Sequence, residues 1–260
     1  MTPIEKSDII SGFSRPERAP RTVAYRLTDS TNKQALAFAA SERPTEPVLF
    51  IASEQTAGRG RLGRSFSSPE GGIYMTVLTP APEGGDLAAL TTYAVTAVCR
   101  ALEELTPLSP RIKWVNDVYI GDRKLSGILA QGAVDPEDGR ITHIAMGIGL
   151  NVRGKELAPE IADIATTLER EGCGIERAAL ASRIAEIYLS DIDKAGSPEV
   201  IEEYRRRSML IGAQITVIKP NESYPARVLG IGDACELIIE REDGEREYLS
   251  TGDVSVRKKK

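Results

Sequence analysis

The chain has 260 residues, 41% hydrophobic and 27% charged, an ordinary balance for a globular protein with one full-sized core and room for a small second domain. Thirty-three Lys and Arg against 38 Asp and Glu give a formal net charge of −5, which excludes a diffuse affinity for nucleic acid or anionic membrane and leaves any polyanion binding to a local cluster. The opening MTPIEKSDII carries charges where a signal peptide is apolar, and no run of about 20 apolar residues follows, so a cytoplasmic protein without membrane spans is expected.

In chain order, residues 1–21 hold Pro3, Pro16 and Pro20 among charges and are expected to form a loose N-terminal arm. Thr22 to Leu27 alternates as a short strand, Asp29 to Asn32 supply N-cap residues for an Ala-rich helix ending near Pro44, and VLFIA (Val48 to Ala52) reads as a strand buried on both faces. GIYMTVLT (Gly72 to Thr79) is a further strand, and Leu87, Leu90, Ala94, Val98, Leu102 and Leu105 mark an amphipathic helix that stops before Pro107. RIKWV, VYIGDRKLSGILAQGAV with a hairpin turn at Gly121-Asp122, and ITHIAMGIGLNV then predict an antiparallel meander. Two helices follow, over Glu176 to about Lys194 and Pro198 to about Met209. From Gly212 the short alternating strands ITVIKP, ARVLGIG, CELIIE and REYLS predict a small all-β unit. The boundaries are an arm over 1–21, a catalytic domain over 22–210 and a C-terminal domain over 211–260.

Cys99, Cys173 and Cys235 lie far apart with no C-x-x-C, which argues against a disulfide framework or a zinc knuckle. His143, the only histidine, sits in a predicted strand with no nucleophile motif nearby and reads as structural.

The chemistry concentrates in QTAGRGRLGRSF, Gln55 to Phe66. Gly58, Gly60 and Gly63 match G-x-G-x-x-G, but Ser53 to Ala57 separate the first glycine from the strand, and SFSSPEGG follows where a dinucleotide fold opens a helix, so that reading is set aside. Arg59, Arg61 and Arg64, spaced by small residues, suit a mobile loop that wraps an anion with forked N–H groups while its backbone approaches closely.

Five segments in order, DSTN (Asp29 to Asn32), EQTAGRGRLGR (Glu54 to Arg64), KWVND (Lys113 to Asp117), RKLSGIL (Arg123 to Leu129) and GIGLNV (Gly147 to Val152), together resemble the biotin protein ligases of the BirA type. The resemblance implies an α+β fold: a mixed, largely antiparallel sheet with flanking helices, like that of class II synthetases, followed by a small SH3-like barrel. It implies activation of biotin by ATP to biotinyl-AMP with release of pyrophosphate, then transfer to a lysine of a biotin carboxyl carrier protein such as that of acetyl-CoA carboxylase, with Mg²⁺ on the phosphates.

By that resemblance Ser30, Thr31, Asn32, Gln55, Gly58, Arg59, Gly60, Arg61, Trp114, Lys124 and Gly127 meet biotin. Arg59, Arg61, Arg64, Phe66, Asn116, Lys124, Gly147, Gly149, Asn151 and, from the C-terminal domain, Arg257 meet ATP or the adenylate. Lys124, Arg61 and Asp117 are the expected catalytic set, Asp117 as a candidate base toward the acceptor lysine, and Asn116 or Asp117 could also touch the metal. Two departures stand out: Val115 replaces a common proline, which is expected to loosen that turn, and Phe66 stands where a tryptophan is frequent. Only 28 residues precede Asp29, too few for a three-helix DNA-binding domain, so no DNA partner is expected. A homodimer through exposed sheet edges stays open. The rivals are a lipoate ligase or transferase of the same fold and a non-catalytic biotin sensor.

Overall fold

The computed structural model describes residues 3–82, 86–154, 157, 159–219 and 221–250, with the backbone alone of 255–258. The N-terminal segment departs from expectation. Lys6–Gly12 form a helix, α1, followed by a 3₁₀ turn over Pro16–Arg18. Ile4, Ile9 and Phe13 are all buried in the main core, and the Ile4 N–H donates to Ser53 Oγ at 3.0 Å. The prolines and charges that suggested a loose arm sit at the helix ends and on its outer face, while three apolar side chains anchor it.

Strand β1 (Arg21–Thr28) leads through helix α2 (Thr31–Glu42) to β2 (Val48–Gln55), which lies parallel to β1. Next come β3 (Ile73–Pro80) and helix α3 (Leu87–Leu105), then β4 (Arg111–Lys113), β5 (Asp117–Ile120), β6 (Arg123–Val134) and β7 (Ile141–Leu150). The seven-stranded sheet has the order β1-β2-β3-β7-β6-β5-β4, antiparallel in every pair but the first. The βαβ crossover through α2 is what makes that first pair parallel, since parallel neighbours need such a connection.

Helices α4 (Arg177–Ser190) and α5 (Pro198–Arg207) pack with α3 on one face of the sheet. Helix α2 covers the other face, near the start of the sheet. β2 explains its own sequence: Leu49 and Ile51 point into the α3–α4 core, whereas Val48 and Phe50 join Ala35 and Ala39 beneath α2. Both faces are covered, so the strand reads as continuous apolar sequence rather than as an alternation. The same alternation puts Met75 and Val77 of β3 in the larger core and leaves Thr76 on the α2 side.

The C-terminal strands β8 (Gln214–Ile218), β9 (Ser223–Ile231), β10 (Leu237–Arg241), β11 (Arg246–Leu249) and β12 (Ser255–Lys258) form an antiparallel sheet of order β11-β10-β9-β8-β12. Its inward residues, among them Ile215, Val217, Leu237 and Ile239, belong to the same contiguous apolar cluster as α3 and α5.

Candidate active site

The site gathers at one end of the large sheet, where β1 and β2 finish and α2 begins. Ser30 is the residue before the helix, in extended conformation, but its hydroxyl makes no capping bond. Gln55, at the end of β2, does the capping: its Oε1 accepts the Thr31 N–H at 2.8 Å. Gln55 Nε2 donates to Ser68 Oγ at 3.0 Å, and the Ser68 hydroxyl donates to Phe66 O at 2.9 Å, which fixes the amide's orientation. Asn32 Nδ2 donates to Gln131 Oε1 at 2.9 Å and Leu129 O at 3.2 Å, while its Oδ1 lies 2.6 Å from Thr76 Oγ1. A Cβ on Gly147 would stand 2.1 Å from that Oδ1, so glycine is what lets Asn32 lie against β7.

The glycine-arginine loop leaves β2 and folds back on itself. Phe66 N–H donates to Gly58 O at 2.9 Å and Gly60 N–H to Arg64 O at 2.7 Å, around a 3₁₀ turn over Arg61–Gly63. Leu62 (φ 55°) and Gly63 (φ 70°) adopt the left-handed region at its tip. No α-helix opens from the loop, in line with setting the dinucleotide reading aside. Phe66 packs so closely over Gly149 that a Cβ there would meet its ring at 2.6 Å, and it stands edge-on to Tyr74 with centroids 6.4 Å apart.

The turn between β4 and β5 and the start of β6 supply the charged wall. Lys124 Nζ lies 2.6 Å from Asp117 Oδ1 and 5.9 Å from the Phe66 ring centroid. Arg61 Nη1 donates to Asn116 Oδ1 at 3.4 Å. Burial pushes the Arg61 pKa down from its ordinary value and Asp117 opposes that shift, but an arginine stays charged regardless. The turn carrying Val115 is held by packing and hydrogen bonds. Val115 is buried, its carbonyl accepts the Tyr204 hydroxyl at 2.9 Å, and the Ile128 N–H donates to Asn116 O at 2.9 Å.

Two abutting cavities result. One of about 150 Å³ is lined by Arg59 to Leu62, Arg64, Phe66, Trp114, Asn116, Asp117, Lys124 and Gly127, among others. A smaller one, about 30 Å³, lies over Ser30, Thr31, Asn32, Gln55, Gly147 and Gly149. Arg59, Phe66, Gly127 and Leu129 line both. Gly58 sits beneath the loop without lining either.

One expected residue, Asn151, lines neither cavity, and another, Arg257, has its side chain outside the described residues. The Asn151 side-chain amide donates to Thr166 O at 3.1 Å and tethers the segment that pairs with the start of β6. The Arg257 backbone lies in β12 opposite Thr216, and its side chain is outside the described residues. His143 stays away from the cavities, with Nε2 2.9 Å from Pro44 O. Sequence reasoning missed Thr76, Gln131 and Ser68, which orient the amides from behind. The available signal was a polar residue on the inner face of an otherwise apolar strand, which GIYMTVLT does contain.

Among the described residues no group of three or more His, Cys, Asp or Glu side chains could hold a metal ion. Asp117 is the only carboxylate among the residues lining the larger cavity, and it is already paired with Lys124.

The mixed sheet with flanking helices and the C-terminal β-sheet together carry an amide- and hydroxyl-lined cavity beside a cluster of cations, partners for a neutral polar group next to an anion. The chain belongs to the biotin/lipoate A/B protein ligase family: residues 23–151 match that family, and residues 210–257 match the biotin protein ligase C-terminal domain. It is 30% identical over 255 residues to the bifunctional ligase/repressor BirA of Bacillus subtilis, covering 95% of this chain and 78% of that protein. It is 34% identical over 203 residues to the biotin–acetyl-CoA-carboxylase ligase of Mycobacterium tuberculosis, covering 74% and 73%. The biotin protein ligase of Aquifex aeolicus, solved in complex with biotin and ATP, superposes with a TM-score of 0.79 at 26% identity, covering 92% of this chain and 99% of that one. No helix among the described residues is long and apolar enough to cross a membrane.

Proposed function

We propose that the chain is a biotin–acetyl-CoA-carboxylase ligase, which activates biotin with ATP to biotinyl-AMP and then biotinylates a lysine of a carrier protein. The observation that carries this reading is the placement of Lys124, Arg59, Arg61 and Arg64 along one cavity wall that opens onto the Thr31–Asn32–Gln55 floor. The first step joins two anions, a carboxylate and the α-phosphate of ATP. Cations fixed beforehand screen their repulsion and stabilise the charge that spreads over the phosphate oxygens. On this reading Lys124, held by Asp117, meets the carboxylate and the phosphate, the ureido ring of biotin lies on the hydroxyl and amide floor, and Trp114 walls its apolar part.

Phe66 covers the adenylate, with Gly147 and Gly149 giving close approach beneath it. Asp117 positions Lys124 in the first step and accepts the acceptor lysine's proton in the second. Among the described residues no resident metal centre forms, so a magnesium ion would arrive on the nucleotide's own phosphates. The catalytic unit is 22–210, with α1 added to its core, and 211–260 is the smaller unit.

The test is ATP–pyrophosphate exchange with biotin and with lipoate offered separately. Exchange is expected with biotin alone. Exchange with lipoate instead would assign the chain to the other branch of its family.

A further inference from the structure

Thr76 lies at the centre of β3, fully buried, with no cavity of its own and no part in the binding set described above. Its hydroxyl oxygen is 2.8 Å from Thr31 Oγ1 and 2.6 Å from Asn32 Oδ1. A threonine hydroxyl carries one hydrogen, so it cannot donate to both. Asn32 Nδ2 is spent on Gln131 Oε1 and Leu129 O, which leaves Oδ1, an acceptor only, facing Thr76. The Thr76 hydrogen must therefore point at Asn32.

The 2.8 Å contact with Thr31 then has a hydrogen only if Thr31 is the donor. The other acceptor within reach of the Thr31 hydroxyl, Gln55 Oε1, is farther at 3.2 Å and already receives the Thr31 N–H. One arrangement satisfies every short contact: Thr31 donates to Thr76, Thr76 to Asn32, and Asn32 to Gln131 and Leu129. Chains running in one direction strengthen each member.

The consequence falls on the cavity, which Thr31 lines. With its hydrogen drawn inward, Thr31 Oγ1 presents lone pairs to whatever lies over it. We propose that Thr76 is a positioning residue that sets this polarity, so that the floor accepts a hydrogen bond from a ring N–H and disfavours a ring presenting an acceptor or a methyl group there. The proposal rests on the biotin reading and deepens it: the group selected is an N–H of the cyclic urea.

The experiment compares Thr76→Val, which keeps the shape and removes the hydroxyl, with Thr76→Ser, which keeps it. Both are assayed by pyrophosphate exchange against biotin and against biotin methylated at a ureido nitrogen. Wild-type exchange with biotin is measured first, and its absence would count against the ligase reading rather than against this one. For Thr76→Val the biotin KM is expected to rise about three- to tenfold, the effect of one neutral hydrogen bond, with kcat and the ATP KM within about twofold of wild type. Its discrimination against the methylated ring should shrink by a similar factor, and Thr76→Ser should restore both.

A Thr76→Val enzyme with unchanged biotin KM and undiminished discrimination would overturn the proposal, as would a parallel fall in kcat for every substrate that serine does not rescue. Gln131→Leu, at the half-buried end of the same chain, carries the test if Thr76→Val does not fold. It should raise the biotin KM in the same direction, and an unchanged KM there would count against the relay.

Discussion

The side chains that line the two cavities are held in place by their neighbours. Lys124 is aimed by Asp117, Arg61 reaches Asn116 across the loop, and Asn32 is gripped on both amide atoms. Asp117→Asn keeps the shape but removes the charge beside Lys124. It is expected to slow adenylate formation and, if Asp117 also takes the acceptor's proton, to slow transfer from preformed biotinyl-AMP. Measuring the two half-reactions separately checks this, and an undisturbed transfer step would remove the base role. Arg61→Gly takes away a half-buried cation from the wall while the backbone turn over Arg61–Gly63 persists. The expected outcome is a folded enzyme that lets its intermediate go, read as free biotinyl-AMP in solution and as indiscriminate lysine labelling. Tight retention of the adenylate would contradict the reading of the arginine loop as one that wraps and holds the anion.

Among the elements, α1 and the C-terminal sheet respond to different insults. Ile9 is wholly buried between α1 and the main core. Ile9→Ala should destabilise the protein by about 2–4 kcal/mol, the range for emptying a buried aliphatic site, with a lowered melting temperature as the readout. A surface arm would have shown no change. In the C-terminal sheet, Glu247 receives Tyr224 OH at 2.6 Å and Arg241 Nη2 at 2.7 Å, and Lys219 as well.

Burial by itself raises the Glu247 pKa, but these donors pull it down to about 2. Its folded value lies below the ordinary 4.5, so the stability it contributes is present above that pH and is lost as pH falls from about 4.5 toward 2. Glu247→Gln should flatten the acid-side slope of melting temperature against pH. A slope equal to that of wild type would show the cluster to be fully screened.

Across the whole molecule the two sheets share one apolar core, and polar contacts tie the C-terminal sheet to the helices and to the turn before β5. The Trp114 indole N–H donates to Cys235 O at 2.9 Å, Arg205 Nε donates to Ile231 O at 2.8 Å, and Thr92 Oγ1 is 3.5 Å from Cys235 Sγ. Trp114 is the chain's only tryptophan, so its emission reports on the cavity wall and on this junction together. Denaturant unfolding followed by that emission and by far-ultraviolet circular dichroism should give coincident transitions. Two separated transitions would show that the C-terminal sheet unfolds independently.

The sequence by itself determined the order of the main helices and strands from β1 to β11, the antiparallel meander, the C-terminal β-unit and the candidate residues of QTAGRGRLGRSF, KWVND and RKLSGIL. Each of these is written in local period, turn chemistry or motif. Tertiary structure alone decided the rest. Residues 3–18 became a packed helix and turn because Ile4, Ile9 and Phe13 found a groove that only the assembled core provides. Asn151 turned to Thr166, and Gln55 rather than Ser30 capped α2, because a side chain's hydrogen-bond partner depends on what the fold sets beside it. Thr76 is the plainest case. In sequence it is one more β-branched residue in a strand, and only the convergence of β3, β6 and the start of α2 gives its single hydrogen a direction.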